Sequence, residues 1–180
     1  MKSRHQKLVW HSQAPGAKCP YRQWLIDQGS LTRRIQIRCN AFSVRNVKLR
    51  QGKACRDEAA LVGLKQRDRA LLREVYLYCE ENPVVFAHSV LPAGLRGPWQ
   101  ALSKLGNKPL GAALFADPSV KRTPLAYKKL GARHELYQRA CRILADHPPF
   151  LWARRSVFSL KNSLILVTEV FLPGILELSK

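Results

Sequence analysis

Two charged residues stand inside otherwise apolar, strand-like segments. Arg73 lies in Leu71–Cys79, where strand alternation puts it on one face with Val75 and Leu77. Glu169 lies in the same way within Leu164–Leu172. An unpaired buried charge costs roughly several kcal/mol, so each should meet the other, a neighbouring polar group or a ligand. Two interpretations stay open: a structural ion pair or exposed strand positions, or a polar ligand held in an apolar pocket by a few oriented groups.

Two predicted hairpins would position these charges. The first joins Leu71–Cys79 to Val84–Leu91 through Glu80-Glu81-Asn82-Pro83, and the second joins Trp152–Leu160 to Leu164–Leu172 through Lys161-Asn162-Ser163. Consecutive hairpins without a helix between every strand indicate an antiparallel sheet. The sequence therefore predicts an α+β fold with helices packed to one side of the sheet.

Other segments give weaker predictions. Strict alternation over Ile35–Cys39 predicts a half-buried strand, and Ser43–Leu49 is also β-inclined. Residues 120–130 are ambiguous but compatible with a strand. The predicted helical segments are Tyr21–Asp27, Trp99–Leu105 opened by Gly97-Pro98, Leu110–Phe115, and His134–Asp146.

Composition narrows the class of protein. With 31 Lys and Arg against 12 Asp and Glu, the net charge of +19 favours an anionic partner: a polyanionic small molecule, nucleic acid or an acidic membrane surface. The five cysteines are odd in number and form no CxxC pair, which argues against a disulfide framework or zinc knuckle and for a reducing compartment. Without an apolar leader or a long apolar run, we expect a soluble, cytoplasmic protein with no integral membrane segment.

Histidine spacing predicts no metal site, and no glycine-rich phosphate loop is found.

Several strings, taken in order, resemble the chorismate pyruvate-lyase family over roughly residues 20–175. They are Ser30–Arg34, Leu72–Glu74, Ala87–Pro92, Gly97-Pro98, Leu105–Gly111 with its Lys-Pro-Leu-Gly turn, Leu114-Phe115, Leu151–Ser156, and Leu166–Pro173 with its Thr-Glu-Val-Phe-Leu-Pro ending. The last motif and the Lys-Pro-Leu-Gly turn are specific in combination.

The resemblance implies a single domain over residues 20–180, preceded by a basic lead-in at 1–19, with helical flaps over an internal ligand pocket. It implies a cofactor-free lyase that converts chorismate to 4-hydroxybenzoate and pyruvate, the first committed step toward ubiquinone. By position, the substrate and product contacts would be Leu31, Arg73, Leu110 and Glu169, with Arg73 and Glu169 catalytic. A closed pocket also predicts slow release of the product and inhibition by it.

Two positions and one segment depart from the family. Leu31 stands where Met is common, and His88 stands where Arg is common, so His88 is a further candidate for holding the anionic substrate, when protonated or as a hydrogen-bond donor. Residues of about 131–150 resemble a helical insertion relative to shorter relatives.

A rival function is a non-catalytic small-molecule sensor, because ligand domains of some transcription regulators resemble this fold. Such a regulator needs a DNA-binding module, and the first 60 residues contain no helix-turn-helix pattern. We therefore predict a monomer that binds chorismate and 4-hydroxybenzoate, without a nucleic-acid partner.

Overall fold

An antiparallel sheet organises the structure, a computed structural model that describes residues 9–65, 67–92, 99 and 104–179. Within this part of the chain the sheet has seven strands in the order β1-β2-β3-β7-β6-β4, and β5 also pairs with β6. The strands are β1 (Phe42–Gly52), β2 (Ala70–Cys79), β3 (Asn82–Pro92), β4 (Lys121–Arg122), β5 (Ala126–Gly131), β6 (Phe150–Leu160) and β7 (Ser163–Phe171). The α+β prediction is confirmed.

Both predicted hairpins are present. The β2–β3 hairpin closes with Cys79 opposite Asn82, and the β6–β7 hairpin closes with Leu160 opposite Ser163. The two residues between Leu160 and Ser163, Lys161 and Asn162, have positive φ angles of 46° and 64°. Positive φ at both central positions is the backbone twist that suits a two-residue hairpin turn.

Helices cover both faces of the sheet, so the prediction that they pack to one side is wrong. The helices are α1 (Arg22–Leu25), α2 (Leu31–Gln36), α3 (Arg56–Ala59), α4 (Leu110–Ala116) and α5 (Glu135–Ala140), with 3₁₀ turns at Ala60–Val62, Cys141–Ile143 and Pro173–Ser179. On one face, α1, α2 and α4 enclose two apolar clusters, and on the other, α5 and the first two 3₁₀ turns enclose two more. The central strands β2 and β3 are buried on both faces, because most of the side chains that point to either face are apolar.

The predicted strand at Ile35–Cys39 is also wrong, because α2 occupies this region. The Ser30 hydroxyl accepts a hydrogen bond from the backbone N–H of Arg33, which caps the helix. Leu31 and Ile35, four residues apart, are buried, whereas Ile37 is 71% exposed. The buried residues of this segment therefore follow the spacing of a helix, and the short apolar alternation was coincidental.

Other expectations have mixed outcomes. Leu110–Phe115 is helical as predicted, and the ambiguous 120–130 segment forms β4 and β5. The helix predicted over His134–Asp146 is shorter: α5 is followed by a 3₁₀ turn that ends at Ile143. The helix predicted over 99–105, opened by Gly97-Pro98, falls largely outside the described residues.

The cysteine prediction needs correction. Cys39 and Cys79 form a disulfide across a sequence separation of 40 residues. Their Cα atoms are 5.6 Å apart, because the turn after α2 returns to the end of β2. The cysteine pattern therefore no longer argues for a reducing compartment.

The end of the basic lead-in is attached to the domain. His11 forms an antiparallel bridge with Tyr127 of β5, and the Trp10 indole donates a hydrogen bond to Asp57. Residues 1–8 lie outside the described part. No helix among the described residues is long and apolar enough to cross a membrane.

Candidate active site

A pocket lies between one face of the sheet and the first residues of α2 and α4. The empty space there is about 560 Å³, a volume that counts the open solvent at the mouth as well as the interior. Its floor comes from β2, β3, β7 and β6, and its cover from the two helices. The residues that line the floor are mainly apolar, with a few charged groups among them, which is the usual composition of a small-molecule site.

Leu31, Arg73, Leu110 and Glu169, predicted from the resemblance, all line this pocket. Leu31 and Leu110 are the first residues of α2 and α4. The first N–H groups of a helix have no backbone partner within it, so both helix starts bring such groups to the pocket lining. In α2, the Ser30 hydroxyl accepts the N–H of Arg33. The helices approach closely here: a Cβ on Gly111 would lie 3.2 Å from the Thr32 hydroxyl.

Arg73 carries a buried charge without a carboxylate partner in the described structure. Its side chain is on β2 and the residue is 4% exposed. Nη2 donates to the backbone carbonyls of Gly106 and Lys108, at 3.0 and 2.9 Å. Burial lowers the pKa of the guanidinium, but the group stays charged near neutrality because arginine starts from such a high value. The two carbonyls orient the group and leave its positive charge uncompensated.

Glu169 does not meet Arg73; it pairs with Arg154. The Arg154 Nε atom donates to Oε2 of Glu169 at 2.5 Å. Arg154 is fully buried, and its Nη1 donates to the carbonyls of Trp24 and Asp27 at 2.9 and 2.6 Å. Because Arg154 is held by backbone groups, it fixes the Glu169 carboxylate on the pocket floor through one oxygen.

Sequence reasoning missed Arg154, although it lies within one of the matched strings. It breaks the apolar pattern of β6 in the same way that Glu169 breaks that of β7, and the two residues are directly paired across the strands. The charge of Arg154 inside an apolar strand was therefore a signal in the sequence that could have identified it as a site residue.

Arg122 is a second arginine of the pocket lining that sequence reasoning missed, since β4 is too short to show a pattern. Its Nε donates to the Ser156 hydroxyl at 2.8 Å, and its Nη1 donates to the carbonyl of Gln28 at 2.9 Å. The guanidinium carbon lies 5.5 and 5.1 Å from the ring centres of Phe115 and Phe158. Burial lowers the pKa of Arg122, and the nearby charge of Glu169 opposes that shift.

His88, the remaining candidate, lies on the opposite face of β3 and does not line the pocket. Its ring nitrogens are 3.5 Å from Glu58 and 3.3 Å from Glu74, and the residue is 1% exposed. Neither nitrogen is aligned for a hydrogen bond, so the attraction is mainly between charges. Burial alone would lower the pKa of His88, but the two carboxylates outweigh it and raise the pKa.

No group of three or more His, Cys, Asp or Glu side chains suited to a metal ion occurs in the described part of the chain. The fold and site together define an α+β domain with a pocket on the sheet, and the described residues of that pocket include one anionic and two cationic side chains.

Comparison with known proteins identifies the family. The family model described as chorismate lyase matches residues 9–179. A protein of Nitrosospira multiformis named "Probable chorismate pyruvate-lyase" is 56% identical, covering 94% of this chain and 96% of its own length. One of the same name from Nitrosomonas europaea is 51% identical, covering 95% and 97%. The chain therefore belongs to the chorismate lyase family.

Solved structures share the fold at low identity. The effector domain of PhnF from Mycobacterium smegmatis is 15% identical, with a TM-score of 0.57 over 82% of this chain and 90% of that domain. PhnF itself gives a TM-score of 0.60 at 16% identity, covering 82% of this chain and 65% of its own. These likenesses show the fold alone.

Proposed function

We propose that the protein is a lyase that cleaves chorismate into 4-hydroxybenzoate and pyruvate. The observation that carries the proposal is the convergence of Leu31, Arg73, Leu110 and Glu169 on one pocket in a chain of the chorismate lyase family. Chorismate is an anionic ring with a hydroxyl group at C4, and the pocket offers a buried arginine, the starts of two helices and a fixed carboxylate.

The reaction needs no redox step. The C3–O bond breaks with its electron pair going to the departing enolpyruvate oxygen, while the C4–H electrons form the new C3=C4 bond. The ring becomes aromatic, and the proton balance closes when the methylene carbon of enolpyruvate takes up a proton and becomes the methyl group of pyruvate. Because aromatisation drives the cleavage, we propose that neither a metal nor an organic cofactor takes part.

Arg73 binds the ring carboxylate in this proposal. A planar guanidinium suits a carboxylate, and the carbonyls of Gly106 and Lys108 hold it ready. The N–H groups at the start of α2 and α4, near Leu31 and Leu110, add fixed dipoles that need no reorganisation during the reaction. The product keeps the ring carboxylate, so it should bind well, leave slowly and inhibit the enzyme.

Glu169 accepts a hydrogen bond from the C4 hydroxyl. Arg154 engages Oε2, which leaves Oε1 for the substrate. From this position Glu169 orients the C4–H bond and is the candidate base for its proton. The alternative route passes the proton directly to the enolpyruvyl methylene within the substrate.

The test is to incubate the purified protein and a chelator with chorismate and to follow 4-hydroxybenzoate and pyruvate together. Equimolar release that is lost in Arg73→Ala supports the proposal. Arg45→Ala is a matched control, since Arg45 lies on edge strand β1 and pairs with the exposed Glu81. Tight 4-hydroxybenzoate binding without any release would favour the sensor function instead.

The role of the product in ubiquinone synthesis, a cytoplasmic location and a monomeric state remain predictions from the sequence and the family resemblance. Feeding 4-hydroxybenzoate to cells that lack this gene product should restore ubiquinone if that role is correct.

A further inference from the structure

We propose that Arg122 binds the second carboxylate of the substrate, the one on the three-carbon enolpyruvyl arm that leaves as pyruvate. This inference rests on the proposed lyase function and extends it to a residue that neither the sequence motifs nor the predicted contacts include.

Charge matching is the first reason. Chorismate carries two carboxylates, whereas 4-hydroxybenzoate carries one. Among the described lining residues, the cations are Arg73 and Arg122, and the anion Glu169 is already paired with Arg154. Arg122 has no carboxylate within ion-pairing distance in the described structure, so its charge is available to an anion.

The order of groups across the sheet is the second reason. Arg73 on β2 pairs with Ser89 on β3, Ser89 with Val167 on β7, and Val167 with Ser156 on β6. Arg122 binds the Ser156 hydroxyl and therefore stands at the far end of the row that Arg73 begins. Three strand intervals span roughly 14 Å between backbones, and the two arginine side chains occupy that span from opposite ends.

Glu169 stands between them on β7, next to the strand that holds Ser156. The ring of chorismate has the same order: the carboxylate on C1 lies opposite the hydroxyl on C4, and the enolpyruvyl arm is on C3, beside C4. A ring with its carboxylate on Arg73 and its hydroxyl on Glu169 therefore directs the arm toward Arg122.

The support around Arg122 is the third reason. A hydroxyl, a carbonyl and two aromatic rings fix the guanidinium, as they would fix a group that must be in place before the ligand arrives. Negative charge grows on the arm's ether oxygen as the C3–O bond breaks. A cation held at the arm would stabilise that charge as well as the carboxylate.

The first test compares two ligands at equilibrium. The probes are 4-hydroxybenzoate and 3-(carboxymethoxy)-4-hydroxybenzoate, which adds an ether arm with a second carboxylate at the matching ring position. In the wild type the second probe should bind more tightly than 4-hydroxybenzoate, because the carboxylate of its arm adds a contact. Arg122→Ala should weaken the two-carboxylate probe by at least about tenfold and leave the affinity for 4-hydroxybenzoate within about twofold.

Retained binding of 4-hydroxybenzoate also shows that Arg122→Ala is folded. Arg122→Lys should recover part of the lost affinity, because it keeps the charge without the planar fork. Arg73→Ala is the contrasting variant, and it should weaken both probes by similar factors. Equal weakening of the two probes in Arg122→Ala, or no weakening of either, would overturn the inference.

Turnover gives the second test. Arg122→Ala should raise KM for chorismate by about tenfold or more and also lower kcat, while product inhibition by 4-hydroxybenzoate stays near the wild-type level. If the wild type releases no product at all, the lyase proposal fails, yet the binding comparison still decides whether Arg122 recognises a second carboxylate.

Discussion

The two faces of the central strands carry charged residues at adjacent sequence positions, but the partners of these charges differ between the faces. On the pocket face, the hydrogen bonds of Arg73 and Arg122 in the described structure go only to carbonyl and hydroxyl oxygens. On the far face, Glu74, His88, Thr168 and Arg155 form a row in register across β2, β3, β7 and β6. There the charges are matched by protein groups.

Each member of the far row is next in sequence to a pocket-face residue, because successive side chains of a strand point to opposite faces. Glu74 pairs with Arg139 at 2.7 Å, and Arg155 pairs with Asp57 at 2.9 Å. We infer that the far row stabilises the strands, whereas the pocket face leaves the charges of Arg73 and Arg122 uncompensated at some cost in stability so that a ligand can supply the counter-charge.

Arg73→Met is the sharpest way to break this comparison. It should lower kcat/KM for chorismate by about a thousandfold, because an oriented donor to the substrate is lost. The free energy of unfolding should change by no more than about 1 kcal/mol, since a buried, uncompensated charge is replaced by an apolar chain of similar size. Steady-state kinetics and urea denaturation measure the two effects. A large loss of stability would mean that Arg73 is structural.

Glu169→Gln separates orientation from proton abstraction. We expect kcat to fall by about 300-fold, because the amide still accepts the C4 hydroxyl but cannot take the proton. Chorismate KM should change little. Single-turnover kinetics would isolate the chemical step from product release. Near-normal kcat would rule out Glu169 as the base and favour proton transfer within the substrate.

His88→Gln should act on stability and leave the pocket chemistry largely intact. Removing one partner of a buried charge cluster costs about 3 kcal/mol. Burial would raise the pKa of Glu58 and Glu74, but contact with His88 lowers both to about 2, helped at Glu58 by the Cys55 backbone N–H and at Glu74 by Arg139. The variant should therefore unfold at lower urea concentration while 4-hydroxybenzoate affinity stays close to that of the wild type.

The pH dependence of that loss follows from the directions of the shifts. The raised pKa of His88 means that its contribution is complete below the unfolded value of 6.5 and declines as pH rises through the folded pKa. The lowered pKa values of Glu58 and Glu74 mean that their contribution is complete above 4.5 and declines toward about 2.

The difference between the wild type and His88→Gln should therefore be largest between about pH 4.5 and 6.5 and shrink at alkaline pH. Urea denaturation at a series of pH values measures it. His88→Arg is the matched variant, since its permanent charge should keep the stability on the alkaline side. A difference that stays constant from acid to alkaline pH would show that the charge of His88 is not involved.

The sequence predicted a structural feature well when that feature depends on residues close together in the chain. Hairpins depend on neighbouring residues, and the alternation that singled out Arg73 and Glu169 needs only one strand each. The Ile35–Cys39 error is also local: a cap at Ser30 and the spacing of Leu31 and Ile35 decided for a helix over a short alternation. Both apolar patterns fit so few residues that periodicity could not separate them.

Pairings between distant segments were not predictable. Even within the predicted β6–β7 hairpin, the pairing of Glu169 with Arg154 follows only once the turn has fixed the register. His88 illustrates the same limit: once Ser89 is known to pair with Arg73, His88 must point to the other face, but register is not visible in one strand. The Cys39–Cys79 disulfide and the place of Arg122 likewise depend on how separate elements meet.

Arg155→Ala should give the smallest effect and tests the far row at its other end. The Arg155 guanidinium bonds Asp57 and stacks 4.2 Å from the Trp10 ring centre, but Asp57 is partly exposed. Solvent screens such a pair, so we expect a loss of only about 1 kcal/mol in unfolding free energy. Its neighbour Arg154 faces the pocket, yet Arg155→Ala should leave kcat/KM within about twofold of the wild type, because the side chain points away from the ligand. A larger kinetic than energetic effect would mean that charges on the far face reach the chemistry through the strands, and the separation of the two faces would have to be abandoned.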